Sequence, residues 1–172
     1  ETYEGPGLAV EWVEVEGPLH EVWPPESHRR IFGDLKQGPL PTNRQRLEVI
    51  SENPSADAEA ILRRFTEIAF RRPIAAVDVQ PFMKLFESRL AEGTTFEQAM
   101  RAALKGVLVA PDFLFLREKP GKLDEFALAN RLAYFVWSAP PDEELRAIAA
   151  AGKLSQPDEL RKQVERLLKD AK

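Results

Sequence analysis

The sequence of 172 residues contains no cysteine. This absence excludes disulfides, thiolate metal sites, a cysteine nucleophile and haem attachment through Cys-x-x-Cys-His within the chain, but leaves the cellular compartment open. Histidine is almost absent too, because His20 and His28 are the only two. They do not have the i,i+4 spacing of a helical metal pair. A metal site would need carboxylates from elsewhere, such as Glu21, Glu26 or Asp34. We predict no metal site and no cofactor in this chain, and the roles of both histidines stay open.

Signatures of membrane proteins and of common enzyme classes are also missing. No run of about 18 apolar residues occurs, so we predict no membrane span. The first residues, ETYEGPG, lack the basic and apolar leader of a signal peptide, which suggests a processed fragment. There is no Gly-x-Ser-x-Gly elbow and no glycine-rich phosphate loop. The 28 acidic residues offer no single carboxylate pair that stands out for glycoside hydrolysis.

What the composition does contain is typical of a folded, soluble protein. Hydrophobic residues make up 44% of the chain and charged residues 30%, which is unlike a disordered sequence. The length suffices for one domain with a real core, or for one and a half. The net charge of −4 is too small to predict nucleic acid or an anionic membrane as a partner.

The most apolar continuous segment, residues 94–116, is the stretch around which we expect the chain to fold. It is predicted to begin as a helix whose N-cap is Thr94 or Thr95. Glu97 or Gln98, three residues later, would then complete a capping box. Apolar side chains recur at steps of three and four, which predicts one buried face. Its members are Phe96, Met100, Leu104, Val107 and Leu108.

The far side and the end of this helix follow from the same pattern. Glu97 and Arg101 are expected on the side opposite the apolar face, four residues apart in the favourable order. Pro111 is expected to stop the helix, because the residue before proline avoids helical angles. The apolar residues 113–116 are expected to follow as a short strand or tail that folds back onto the core.

Further helices are predicted on either side of this stretch. Helical spacing predicts one from Ser55 to before Pro73, one over about 78–91, one over 125–137 capped by Asp124, and one over 142–151. A last helix is expected to start with a capping box of Ser155 and Asp158. Its apolar pattern continues to the last residue, so we expect the natural protein to continue. The helix over 125–137 is apolar nearly all round and is therefore predicted to be buried. The stripes expected in the core are Ala58, Ile61, Leu62, Phe65, Ile68 and Ala69 in the first of these helices, and Leu160, Val164, Leu167 and Leu168 in the last.

The N-terminal part is predicted to differ from the rest. Residues 7–16 are rich in β-branched and aromatic residues and predict a strand with a slipped alternation. Residues 17–54 are proline-rich, with one short helical turn expected over 26–32 and closed by Gly33. Residues 43–52 fit a helix or a strand equally.

The predicted fold class is therefore mainly α, a helical bundle with a short β/irregular N-terminal segment. Three parts are expected along the chain. Residues 1–54 form the strand and a proline-rich wrapping segment, residues 55–117 form a three-helix domain, and residues 123–172 are the truncated start of a following helical domain.

Arginine pairs are the main candidates for a ligand site. Arg64 and Arg71 could face one side of their helix and, with Arg72, receive a phosphate or a carboxylate. The alternative is structural, with Arg71 or Arg72 bonding helix C-terminal carbonyls or a buried acid. In the helix predicted to be buried, the polar pair Asn130-Arg131 needs partners. For Arg131 these are expected to be Asp112 or Asp124.

Four motifs in order are similar to consecutive segments of one family. They are GPGLAVEWVEVEGPL…WPPESHRRIFGDL, ILRRFTEIAFRRPI, ALKGVLVAPDFLFL and FALANRLAYFVWSAPPDEELRAIAAAGKL. The chain resembles the large planctomycete-type multidomain exported proteins built from domains of unknown function, which often carry a cytochrome c domain and sometimes a carbohydrate-binding domain. The resemblance implies an exported protein whose partners are other domains of the same polypeptide. It supplies no catalytic residues, and the haem motif is absent here.

These observations favour a non-catalytic structural or interaction module of a larger exported protein. One alternative is a part of a polysaccharide-binding or polysaccharide-degrading protein. It predicts an open cleft lined by Trp12, Trp23 or Trp137 with carboxylates nearby, because sugars stack on aromatic faces. Another alternative is a docking module for a cytochrome c domain, which requires an acidic or apolar patch complementary to the haem edge.

Overall fold

A computed structural model describes residues 11–15, 17, 19, 22–40, 44, 46–116, 118 and 120–170. Within this part of the chain there are eight helices and one two-stranded sheet, and 61% of the structure is helical. The mainly α fold class predicted from the sequence is confirmed. No helix in these ranges combines the length and the hydropathy needed to cross a bilayer. The chain divides into two compact units, Glu1–Gly33 and Asp34–Lys172.

The first unit contains the helix α1, Glu26–Phe32. It follows Pro25 and ends at Gly33, whose φ of 63° favours glycine, as the sequence predicted. Residues 11–15 are exposed and form no strand. The strand predicted over 7–16 is therefore wrong where the structure describes it, while residues 7–10 and 16 lie outside the described residues. A strand requires a hydrogen-bonded neighbour, and none pairs with 11–15 in the described part of the chain.

The second unit begins with two short antiparallel strands, β1 (Gln37–Pro39) and β2 (Leu47–Val49). Gln37 pairs with Val49, and Pro39 pairs with Leu47. Strand β2 decides between the helix and the strand that the sequence left open for residues 43–52. Strand β1 escaped prediction because glycine and proline are depleted in strands. Proline is tolerated here because each strand of a two-stranded sheet has a free edge.

Three helices pack on one another next in the chain: α2 (Pro54–Phe70), α3 (Ala76–Ala91) and α4 (Phe96–Leu108). The short helix α5 (Pro111–Leu114) lies against α2 and α4. The stripe predicted for α2 is wrong at Ile68, which is 54% exposed, whereas Thr66 and Phe70 are buried. The buried face is rotated because the ring of Phe70 packs edge-on against Phe82 of α3, with centroids 6.2 Å apart.

The start of α4 agrees with its prediction. Thr95 is the N-cap, and its side chain accepts a hydrogen bond from the Gln98 amide nitrogen. Among the described residues only this half of the capping box forms, and the Gln98 side chain donates from Nε2 to Glu48 of β2 at 3.3 Å. Four of the five predicted core residues of α4 are buried, and the exception, Leu108, is 40% exposed.

Two buried carboxylates join β2 to the N-terminal end of α4. Glu97 was expected opposite the apolar face but is only 4% exposed, because it accepts hydrogen bonds from the backbone nitrogen of Val49 at 2.7 Å and from Arg101 at 2.5 Å. Glu48, 3% exposed, accepts from the Thr95 hydroxyl and from Gln98. Both negative charges lie near the helix N-terminus, which favours them. The sheet is thus held on α4 by side chains.

The residues after Pro111 also depart from prediction. They form the helical turn α5 and not a strand, and Leu114, Phe115 and Leu116 are 58%, 64% and 45% exposed. The expectation that this tail folds back onto the core is wrong. Its backbone carbonyls are fixed by a side chain of α2's C-terminal end, as described below, and this directs the apolar side chains outward.

The remaining helices are α6 (Glu125–Trp137), α7 (Glu143–Ala150) and α8 (Pro157–Lys169). Asp124 caps α6 as predicted, accepting from the Ala127 nitrogen at 2.8 Å, and Asp142 caps α7 in the same way. The predicted capping box of α8 is wrong, because its N-cap is Gln156, and the Ser155 nitrogen donates to Glu125. The shared core consists of Ala129, Ala133, Trp137, Leu145, Ala149, Leu154 and Leu167.

Helix α6 is only partly buried, contrary to its prediction. Its core side is made of the small residues Ala129 and Ala133 with Trp137, while Phe135 is 88% exposed. Leu168 of α8, also predicted in the core, is 68% exposed, and the polar Gln163 is buried in its stead. Helices α7 and α8 cover one side of α6, whereas Phe135 lies on a side that the described residues leave exposed.

Replacing Glu97 by Ala is expected to destabilise the fold by about 2–4 kcal/mol, because the buried Val49 nitrogen loses its acceptor. Replacing its partner Arg101, whose side chain is 57% exposed, by Ala should cost less, about 1–2 kcal/mol, because the buried Glu97 loses its cation but keeps the Val49 donor. Urea unfolding measures both. Equal losses in the two variants would contradict this account of the sheet's attachment.

Candidate functional site

The candidate site is a cleft of about 230 Å³ at which the C-terminal end of α2 meets α5 and α6. A second cleft, of about 410 Å³, lies on the other side of the turn after α2 and shares Arg71, Arg72, Pro73 and Phe126 with the first. The structure thus brings Arg71 and Arg72, two of the arginines predicted from the sequence, to one junction.

Arg71 is a buried cation that is held by backbone carbonyls. It is the C-cap of α2 in the left-handed conformation, with φ of 57°, and is 9% exposed. Its Nη2 lies 3.1 Å from the carbonyl oxygen of Asp112, 3.0 Å from that of Phe113 and 3.4 Å from that of Phe115. The guanidinium also lies 5.9 Å from the ring centre of Tyr134, a cation–π distance. These contacts fix α5 against the end of α2.

Asn130 connects the same residue to α6. Its side-chain amide donates to the carbonyl oxygen of Arg71 at 3.2 Å, and the residue is 7% exposed. Asn130 Oδ1 and Arg71 Nε are buried without a hydrogen-bond partner among the described residues. Because almost no surface of either atom is exposed, a ligand in the cleft does not reach them.

Arg72 has acidic partners. It makes a two-pronged contact with Asp78 at 2.9 and 3.2 Å, and Nη2 lies 3.3 Å from Asp112. The hydrogen bond from Arg72 lowers the pKa of Asp78 below its ordinary value. The same hydrogen bond raises the pKa of Arg72. Asp78 also accepts from the Ala75 nitrogen at 2.7 Å at the start of α3, so the pair ties α2 to α3 and α5.

Arg131 pairs with Glu118, and not with Asp112 or Asp124 as predicted. Its Nε lies 3.0 Å from both carboxylate oxygens. Both expected partners are engaged elsewhere, since Asp112 contacts Arg72 and Asp124 caps α6. The sequence could not reveal this competition, and it missed Glu118.

The remaining candidates are Arg64 in the second unit and two tryptophans in the first unit. Arg64 is exposed on α2 and lines neither cleft, because α2 ends at Phe70 and the left-handed Arg71 leaves the helical face on which the two were expected together. Trp12 and Trp23, in the first unit, are 70% and 57% exposed.

The sequence analysis named carboxylates that a metal site would need beside the histidines, and of these Glu21 lies outside the described residues. His20 lies outside the described residues. His28 is in α1, with its ring centre 4.8 Å from that of Phe32. No group of three or more potential ligands occurs among the described residues.

Two family models match the chain on either side of the junction. Protein of unknown function (DUF1595) matches residues 57–118, and Protein of unknown function (DUF1592) matches residues 123–172. Two neighbouring regions of the chain are thus similar to domains of unknown function. No curated protein and no solved structure gives a significant match. The DUF1595 match contains most of α2 and all of α3 to α5, and the DUF1592 match contains α6 to α8. The bond from Asn130 to Arg71 therefore joins the two domains.

Replacing Arg71 by Ala is expected to destabilise the chain by about 2–4 kcal/mol, because the carbonyl groups around α5 lose their buried donor. Urea unfolding measures the change. Arg71→Gly should also destabilise, although glycine relieves the left-handed backbone, so the loss can be assigned to the side chain.

Arg63→Ala is the matched control for this measurement. The side chain of Arg63 is 43% exposed and pairs with Glu59 on the surface, and its loss should cost about 0.5 kcal/mol or less. If Arg71→Ala were as mild as the control, the role given to Arg71 would be wrong.

The lowered pKa of Asp78 predicts a defined loss of stability in acid. A carboxylate whose pKa is lowered by folding contributes stability that is complete above its unfolded pKa of 3.8 and is lost as the pH falls through the folded value. The free energy of unfolding should therefore be larger for the wild type than for Asp78→Asn at pH 7. This difference should become smaller below about pH 4. Urea unfolding at pH 7, 5, 4 and 3 measures it. A difference that stays constant over this range would refute the assignment.

Proposed function

We propose that the chain is a non-catalytic structural or interaction module of a larger exported multidomain protein. The observation that carries the proposal is that the charged side chains lining the junction cleft are engaged in internal contacts. Arg71 holds backbone carbonyls, Arg72 holds Asp112, and Glu118 holds Arg131. Asp124 accepts from the backbone at the start of α6. A catalytic acid or base must instead be within reach of a substrate.

The titration behaviour at the junction supports the same interpretation. The shifts of Asp78 and Arg72 come first from the hydrogen bond between them, and they move both groups further into their charged forms. A general acid or base is commonly tuned toward neutral pH. The shifts are therefore those of an ion pair that stabilises the fold, and the proposal includes no cofactor.

The two domains of unknown function are consistent with such a module. The wider setting, an exported protein whose further domains are the partners of this chain, rests on the resemblance described from the sequence.

The polysaccharide alternative receives less support from the described residues. Trp137 is 9% exposed, and its indole nitrogen donates to the carbonyl oxygen of Leu167 at 3.0 Å. Trp12 and Trp23 are exposed in the first unit, and Trp137 lines none of the clefts described for the second unit. A sugar site of the expected kind would combine an exposed aromatic face with a cleft.

A thermal-shift screen of the 172-residue chain with oligosaccharides, divalent metals and phosphorylated compounds tests the proposal. We expect no shift in a cooperatively melting protein. A ligand present at a hundred times its Kd stabilises by about 2.7 kcal/mol, which for a chain of this size is about 5–10 °C. A reproducible shift of this size with one compound class would overturn the proposal. Repeating such a hit with Arg72→Ala would show whether the junction cleft is its site.

A further inference from the structure

Helices α6 and α8 leave an apolar groove of about 540 Å³ open on the surface. Phe135 at its edge is 88% exposed, and Leu168, one turn beyond Val164, is 68% exposed. Contiguous exposed apolar surface of this kind marks an interaction site more often than isolated exposed leucines do. The groove is lined by Leu128, Arg131, Leu132, Tyr134 and Phe135 of α6, by Leu160 and Val164 of α8, and by Leu116, which follows α5.

The spacing of the leucine, valine and phenylalanine side chains on the two helices fits a helix as the occupant. On α6 they recur at i, i+4 and i+7, and on α8 they recur at i and i+4, with Leu168 at i+8. Each helix thus presents a ridge, and the ridge of a third helix packs into the space between two such ridges. The distance along α6 from Leu128 to Phe135 is about 10 Å, which corresponds to about two helical turns of a partner.

The groove continues an interface that already exists within the chain. Leu128, Leu132 and Leu160 are partly buried and pack against the core shared by α6, α7 and α8. A helix placed in the groove would bury the remaining surface of the same side chains. It would therefore extend the helical core of the DUF1592 region and need no rearrangement of α6 or α8.

Each of the two helices carries an arginine beside the groove. Arg131 lines it on the α6 side. Arg161 follows Leu160 on α8, about 100° further round that helix, and it is exposed. Arg131 is paired with Glu118, whereas Arg161 makes no ion pair with the residues that the structure describes. Acidic side chains beside the apolar face of a partner would be attracted to this rim.

We propose that the α6–α8 groove binds an amphipathic helix whose apolar face is flanked by glutamate or aspartate. This inference rests on the proposed function and specifies the kind of partner that the module takes. The apolar face of the partner would lie on Phe135 and Leu132, and its acidic flank would lie beside Arg161.

Fluorescence anisotropy with labelled peptides tests the inference on the 172-residue chain. The probe is an 18-residue peptide with leucine at i, i+3, i+4 and i+7 positions on one face, glutamate at the flanks and alanine elsewhere. The first control replaces the glutamates by lysines, and the second scrambles the acidic peptide. We expect the acidic amphipathic peptide to bind at least about ten-fold more tightly than either control.

Substitutions in the chain locate the binding. Phe135→Ser should weaken the acidic peptide at least about ten-fold, and Arg161→Glu should reduce its advantage over the lysine peptide. Val77→Ser is the matched control, because Val77 is 70% exposed on α3, outside the groove, and should leave binding unchanged. Circular dichroism confirms that each variant is folded.

Equal binding of the acidic and lysine peptides would overturn the inference, and so would unchanged binding in Phe135→Ser. A dimer in sedimentation that Phe135→Ser dissociates would also overturn it, because a second copy of the chain would then occupy the groove. If no peptide binds and the thermal-shift screen detects no ligand, the inference about the groove is wrong but the proposed function is not contradicted. A small-molecule hit in that screen would instead remove the proposed function.

Discussion

The arrangement of the second unit depends on how the buried cation of Arg71 is satisfied. Charged side chains are rarely buried unless they are paired, and here the guanidinium takes its partners from the carbonyl groups around α5. The left-handed backbone of Arg71 ends α2 and presents its own carbonyl to Asn130 of α6. One residue therefore satisfies groups in three elements. The positions of α5 and α6 relative to α2 follow from these bonds, and with them the junction between the two domains.

A second attachment in the same unit obeys the same rule with the opposite charge. Glu97 is buried because it supplies an acceptor to the backbone of Val49, and Glu48 is buried because Thr95 and Gln98 donate to it. In each case burying a charged group without a partner would be costly. The elements therefore take the arrangement in which the charged group meets its hydrogen-bond partners. These carboxylates therefore connect the small sheet to the start of α4.

Features that depend on neighbouring residues could be predicted, and features that depend on distant partners could not. The caps at Thr95 and Asp124 follow from one side chain and a nitrogen three residues later, so the sequence reveals them. The burial of Glu97 depends on a strand 48 residues away, which helical spacing cannot show. At the candidate site the sequence offered two structural roles for the arginines, carbonyl binding and pairing with an acid. The structure assigns the first to Arg71 and the second to Arg72.

The distribution of polar and apolar groups connects the fold to the proposed function. Charged groups at the junction point inward and contact one another or the backbone, whereas large apolar side chains such as Phe115 and Phe135 remain exposed. Exposed apolar side chains gain free energy only when another surface removes them from water. This distribution supports the proposal that the chain packs against a partner, and Phe135 of α6 is among the most exposed of these side chains in the described part of the chain.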